Sequence, residues 1–188
     1  MKHTILLTGI ATALLTFTVP SAIFAAEAVK TEKTDTAQAT ADAQFMDEVL
    51  RGGLTEIKAA EIAMHRTERD DVKKFAMTMA KDHADVNKNL TTLAARMKMK
   101  LPKDYGDHQP FIDGLKVKSQ QNAPDFNRIY VAESVAAHER CVAMFDKFSG
   151  ETKNADLKAF ADNTLPGLRT HLKRATDLLA VLGAAAVK

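Results

Sequence analysis

Tryptophan is absent from this 188-residue chain, tyrosine occurs twice and cysteine once. The lone thiol, Cys141, cannot make an internal disulfide, so the fold is held without one. It falls on an apolar helix face, which reads as a buried, inert thiol. Eight glycines and five prolines are too few for a turn-rich β fold and leave long helices as the natural alternative. Neither sign of charge dominates: 26 Lys and Arg stand against 24 Asp and Glu, a formal net charge of +2. No basic block is interleaved with aromatics, so a nucleic-acid interface is not expected. There is no G-x-S-x-G, no Cys–His pairing and no phosphate-binding glycine loop, which removes the common nucleophilic and nucleotide-dependent chemistries.

Long apolar runs are also scarce. One extends from Ile5 to Val19, after a cationic start at Lys2 and before Pro20 and a set of small residues. That pattern is a secretory leader, with cleavage expected after Ala25 and Ala28 as the alternative site. The run is short of the roughly 20 residues a membrane anchor needs. No cysteine lies near the cleavage site, so lipid attachment there is not expected. Residues 26–43, "AEAVKTEKTDTAQATADA", offer one Val among Ala, Thr and charges, and read as a flexible tether. Order is expected from Phe45, in one domain over residues 44–183, followed by a short tail at 184–188.

What the chain has in quantity is apolar residues at helical spacing, within a composition that is 46% hydrophobic. Four long helices are expected: about Gln44–Arg66, about Asp70–Lys98, one from near Pro124 to Ser149–Gly150, and one from an Asn154 cap to Gly183. The first pair and the last pair are joined by only a few residues, which makes each an antiparallel hairpin. Between the hairpins, Met99–Ala123 is a long connection with its own amphipathic piece at Phe111–Val117. The resulting fold class is all-α, a ferritin-like antiparallel four-helix bundle with a long crossover that carries a short helix. "DVKKFA" at Asp71–Ala76 returns as "DLKAFA" at Asp156–Ala161, each opening the second helix of its hairpin.

Each helix carries one polar misfit on its inward arc: Glu56, His83, His138 and His171. Asp82 and Glu61 sit at the edges of their arcs, and Glu139 points away. With about 1.5 Å of rise per residue, all four misfits lie about 16–20 Å from the same end of the bundle. Three imidazoles and a carboxylate meeting there form a donor set for Zn, Fe or Mn. The competing reading is a metal-free polar cluster that satisfies itself by hydrogen bonds. If the histidines do hold metal, protons compete for the imidazoles and affinity falls on acidification. "MTM" and "MKM" resemble methionine-rich copper sites, but residues two apart on a helix point apart. Met79 and Met97 therefore read as core, Met77 and Met99 as surface, and His65 and His108 as solvated.

From Phe45 to Gly183 the chain resembles a bacterial exported family named only as domain of unknown function 4142, whose members are often labelled outer-membrane proteins. The resemblance is carried by "GGLTEIKAAEIA", "DVKKFAMTMAKDHADVNKNLTTLA", "LP" at Leu101–Pro102, "AHERCVAMF" and "ADLKAFADNTLPGLRTHL". It implies a ferritin-like fold and a Gram-negative envelope location, periplasmic or associated with the outer membrane, and no established activity. Di-iron chemistry is not carried over, because the Glu-x-x-His motif is missing: Ala80 and Leu168 stand three residues before His83 and His171. The functional expectation is an exported bundle with one metal ion at Glu56, His83, His138 and His171. The alternative is a metal-free structural or protein-interaction module of the envelope. A metal-dependent oxidoreductase lacks a second inward carboxylate.

Overall fold

The computed structural model describes residues 22–121 and 125–185. The leader expected over residues 1–25 falls almost wholly outside them. Among the described residues there are five α-helices: α1 (Ala22–Arg66), α2 (Asp70–Arg96), α3 (Gln109–Gln120), α4 (Phe126–Glu151) and α5 (Ala155–Ala185), with a short 3-10 turn at Gly106–His108. No strand occurs among the described residues. The arrangement is the ferritin-like antiparallel bundle, with α1–α2 and α4–α5 as tight hairpins and α3 riding on the crossover.

The helix starts follow local chemistry. Asn154 Oδ1 accepts hydrogen bonds from the backbone N–H of Asp156 (3.1 Å) and Leu157 (3.2 Å), the capping role its type and place suggest. Pro166 lies inside α5. The stretch read as a flexible tether, 26–43, lies within α1 instead. It is rich in Ala and free of Gly and Pro, and such a composition takes up helix even where it buries little. The chain divides into two units at Thr36/Ala37, and the bundle described below belongs to the second. Its order starts before Phe45, since Asp42 is buried and accepts hydrogen bonds from Gln38 Nε2 (2.7 Å) and Thr152 Oγ1 (3.1 Å).

The hydrophobic core is split in two. One cluster gathers Ala59, Ala63, Phe75, Met79, Tyr130 and Ala175 with Ile112 and Leu115 of α3. The crossover helix thus closes that end of the bundle, and its two aliphatic side chains contribute roughly 1.5–3 kcal/mol each by burial. The other cluster gathers Phe45, Leu50, Leu90, Phe145, Leu157 and Leu168. There the Phe45 ring stacks on Phe148 at 3.6 Å and meets Phe145 edge-on at 5.0 Å. On α1, α2, α4 and α5 alike, the expected polar misfit falls between the residues given to one cluster and those given to the other. A polar layer therefore crosses the bundle at one height.

Met79 is fully buried and Met77 is 56% exposed, as the helix angle requires. Met97 and Met99 are both half-buried, and both pack against the second cluster. Met99 is thus not the surface residue its spacing suggested, because α2 has ended by then and the chain turns back over the core.

Adjacent glycines on α1 do different work. At Gly53, a Cβ would collide with Asn87 Oδ1 and come within 2.8 Å of Cγ and Nδ2, whereas at Gly52 it would meet nothing within 4 Å. Asn87 is itself buried, and neither polar atom of its amide has a hydrogen-bond partner among the described residues. Gly53→Ala is expected to destabilise the fold by about 1–3 kcal/mol through overpacking. Gly52→Ala should stabilise it by about 0.5–1 kcal/mol through helix propensity. Urea denaturation of both variants and of Gly53→Ala/Asn87→Ala checks this. The double variant is expected to recover the loss, and equal effects at the two glycines would refute the account.

Candidate metal centre

Three of the four expected residues come together. His83 of α2, His138 of α4 and His171 of α5 are 6%, 1% and 6% exposed, and each offers a nitrogen within 4.8 Å of the other two. Their ring centroids form a near-equilateral triangle with sides of 5.4, 5.6 and 5.4 Å. Glu56 of α1 lies in the same layer and is buried, but stands outside this group. Its carboxylate lines an adjacent cavity, and Oε2 has no partner among the described residues.

Hydrogen bonds on the far sides of the rings decide which nitrogens face inward. His138 Nδ1 lies 2.8 Å from the carbonyl oxygen of Ser134, which can only accept, so Nδ1 carries the proton and Nε2 presents a lone pair. His171 Nε2 lies 3.0 Å from Asp82 Oδ2 and donates to it, which leaves Nδ1 as the lone-pair nitrogen. That Nδ1 is buried without a partner among the described residues. Outer-side acceptors of this kind, a carbonyl and a carboxylate, are what fix the tautomer of metal-ligating histidines.

The third ring adds a distance. His83 Nε2 is 3.3 Å from His138 Nε2, at the long end of hydrogen-bond reach. Two nitrogens bound at about 2.0–2.1 Å on adjacent corners of a tetrahedron are about 3.3–3.4 Å apart. The pair is thus already spaced as two zinc-type ligands are.

Electrostatics point the same way. Burial, then the neighbouring His138 and His171 rings, push the pKa of His83 down to about 3. Burial pushes His138 down to about 4, against a raising contribution from the Ser134 carbonyl. Both imidazoles are neutral and ready to ligate. Burial raises Glu56 to about 8, opposed by Arg140, so its carboxyl is protonated at neutral pH. Cys141 is half-buried, and its thiol is pushed up to about 12 by burial and by Glu56, in keeping with an inert thiol.

The family model described as "Domain of unknown function (DUF4142)" matches residues 27–178. The chain belongs to this family. Comparison with curated proteins found no match. Among solved structures, this DUF4142 chain is similar to the crystal structure of a DUF305 fragment from Deinococcus radiodurans, with a TM-score of 0.63 and 13% identity. The similarity covers 74% of this chain and 95% of the other, and at that identity it speaks to the fold alone.

Sequence reasoning placed Asp82 at an arc edge without giving it a role. One residue before His83, it is turned about 100° around α2, away from the bundle axis and toward α5, where it meets His171. The Ser134 carbonyl carries no sequence signal, since every residue has one. His108, expected to be solvated, pairs with Glu48 at 3.2 Å and lines the cavity beside the histidines. His65 is exposed.

Proposed function

We propose that this chain is an exported envelope domain that binds one first-row transition-metal ion through His83, His138 and His171. The observation that carries the reading is the convergence of three imidazoles in a buried layer, two of them oriented from behind by hydrogen-bond acceptors. Among the described residues His171 Nδ1 and Glu56 Oε2 have no hydrogen-bond partner, as a ligand nitrogen and a cavity-wall carboxyl would. Neutral imidazoles suit Zn, Fe or Mn in the divalent state, and three of them leave a coordination position for a further ligand. Glu56 moves from the ligand set expected from sequence to the wall beside it. Export rests on the leader pattern over residues 1–25, which together with the family resemblance supports a periplasmic location. No described helix is long and apolar enough to cross a membrane.

The test is metal analysis of protein prepared from periplasm without chelator or metal-binding tag, followed by equilibrium dialysis against Zn(II), Fe(II) and Mn(II). About one ion per chain is expected in the wild type, with none retained by His83→Ala or His171→Ala. Asp82→Asn keeps the ligands but loses the anionic acceptor behind His171, and is expected to weaken binding by about 10–100-fold. A wild-type chain that is isolated metal-free and takes up none of the three ions would overturn the proposal in favour of a metal-free interaction module.

A further inference from the structure

A cavity of about 580 Å3 lies beside the imidazole triangle, bounded mainly by α1, α4 and the crossover. His83 and His138 line it and His171 does not, so the triangle presents one edge to this space. An ion carrying about six waters, at about 30 Å3 each, would take up roughly a third of that volume. A hydrated metal ion therefore fits.

The charges on the walls differ with depth. Glu48 of α1, Asp107 of the crossover and Glu133 of α4 are exposed and mark the mouth, three carboxylates from three elements. Arg140, also exposed, is the one Lys or Arg on the walls among the described residues, and His108 lies 3.2 Å from Glu48. Deeper in, Glu56 is only 9% exposed, and its Oε2 has no hydrogen-bond partner among the described residues. Much of the remaining wall is apolar, with Val49, Val86, Phe111, Met144 and Phe145 in it.

Three carboxylates against one guanidinium give the mouth a negative field, and apolar walls of low dielectric focus such a field inward. That arrangement repels an anion and draws in a divalent cation. Surface acids alone would make no site. Here they share one cavity with two of the buried imidazoles and with a buried oxygen free to replace a water that the ion sheds.

We propose that this cavity is the path by which a divalent metal ion reaches the three histidines, with Glu48, Asp107 and Glu133 gathering the hydrated cation at the mouth and Glu56 offering Oε2 as it sheds water. This rests on the three-histidine reading. It concerns rates, whereas that reading concerns binding at equilibrium, so the two are separable.

Stopped-flow mixing of the full chain with Co(II) gives the association rate from the visible absorption of the bound ion, and a chase with excess Zn(II) gives the dissociation rate. At about 0.01 M ionic strength, Glu48→Gln/Asp107→Asn/Glu133→Gln is expected to associate roughly tenfold more slowly than wild type. At about 1 M salt the difference should shrink to about twofold or less, since screening leaves little of the field. Arg140→Gln should associate faster at low salt, because it removes the opposing charge. Gly52 also lines the cavity, is no ligand, and has open space where a side chain would begin. Gly52→Phe should therefore obstruct the path and slow association and dissociation by a common factor of about five or more, with the Co(II) spectrum and affinity unchanged. An unchanged association rate, either in the triple variant at low salt or in Gly52→Phe, overturns the proposal and leaves the three-histidine reading standing. Failure of the wild type to bind Co(II) at all removes both readings together.

Discussion

Stripped of metal, the protein is expected to be most stable near pH 6.5 and to lose stability on both sides, for opposite reasons. His83 and His138 have folded-state pKa values of about 3 and 4 against an ordinary 6.5, so below pH 6.5 the unfolded chain binds the extra protons. Stability from these two groups is fully present above pH 6.5 and is lost as pH falls toward 4. Glu56 has the reverse sign. Its folded value of about 8 lies above an ordinary 4.5, so the folded chain holds the extra proton between those limits. Its contribution is fully present below pH 4.5 and is lost as pH rises through 8. Each unmatched proton is worth about 1.4 kcal/mol per pH unit. From pH 4.5 to 6.5 two histidine protons oppose one carboxyl proton, and stability rises by roughly 1.4 kcal/mol per unit. From 6.5 to 8 the carboxyl acts alone, and stability falls at a similar rate. Glu56→Gln removes the falling limb and roughly doubles the slope of the rising one. Urea denaturation of EDTA-treated wild type and variant between pH 5 and 9 reads this directly. Parallel curves for the two would show that Glu56 is not held neutral by burial.

Metal is expected to raise the thermal midpoint by about 5–10 °C. An ion at 100 times its dissociation constant stabilises the folded state by about 2.7 kcal/mol, and a chain of this size gains about 2–4 °C per kcal/mol. His83→Ala and His171→Ala should abolish the shift without removing the helical circular dichroism signal. The pH dependence of affinity departs from what three solvated imidazoles would give. With His83 and His138 proton-free down to about pH 4, two of the three ligands owe no proton to the solvent between pH 7.5 and 5.5. The slope of log affinity against pH is therefore expected to stay at about one or below, where three ordinary histidines would approach three. Isothermal titration calorimetry across that range checks it, and a slope near three would show the rings to be solvated. The acid loss expected from the ordinary chemistry of His83 and His138 is thus moved to lower pH by burial.

Much of the architecture follows from periodicity. Val72, Phe75, Met79, Leu90 and Leu93 recur on one helical face, and a pattern of that length has one solution whatever its neighbours are. The Asn154 cap, the two short hairpin connections and the long crossover are likewise local or nearly local signals. So is the oddity of one polar residue inside each inward arc, and the common height of those four residues follows from counting residues from the turns. α1 begins well before Gln44, because the alanine content of residues 26–43 favours helix even where little is buried.

What the sequence by itself determined is therefore the direction and height of Glu56, His83, His138 and His171, because both are properties of a single helix. Only the tertiary structure decided which of them meet. Ligation depends on differences of about an ångström in how neighbouring helices slide and rotate, and no single helix contains that information. Packing separated Glu56 from the three histidines, set Asp82 behind His171 across two helices, and used Gly53 to admit the Asn87 side chain. It also buried the layer, and that burial is what keeps the imidazoles of His83 and His138 neutral and Glu56 a neutral acid in place of ordinary surface groups.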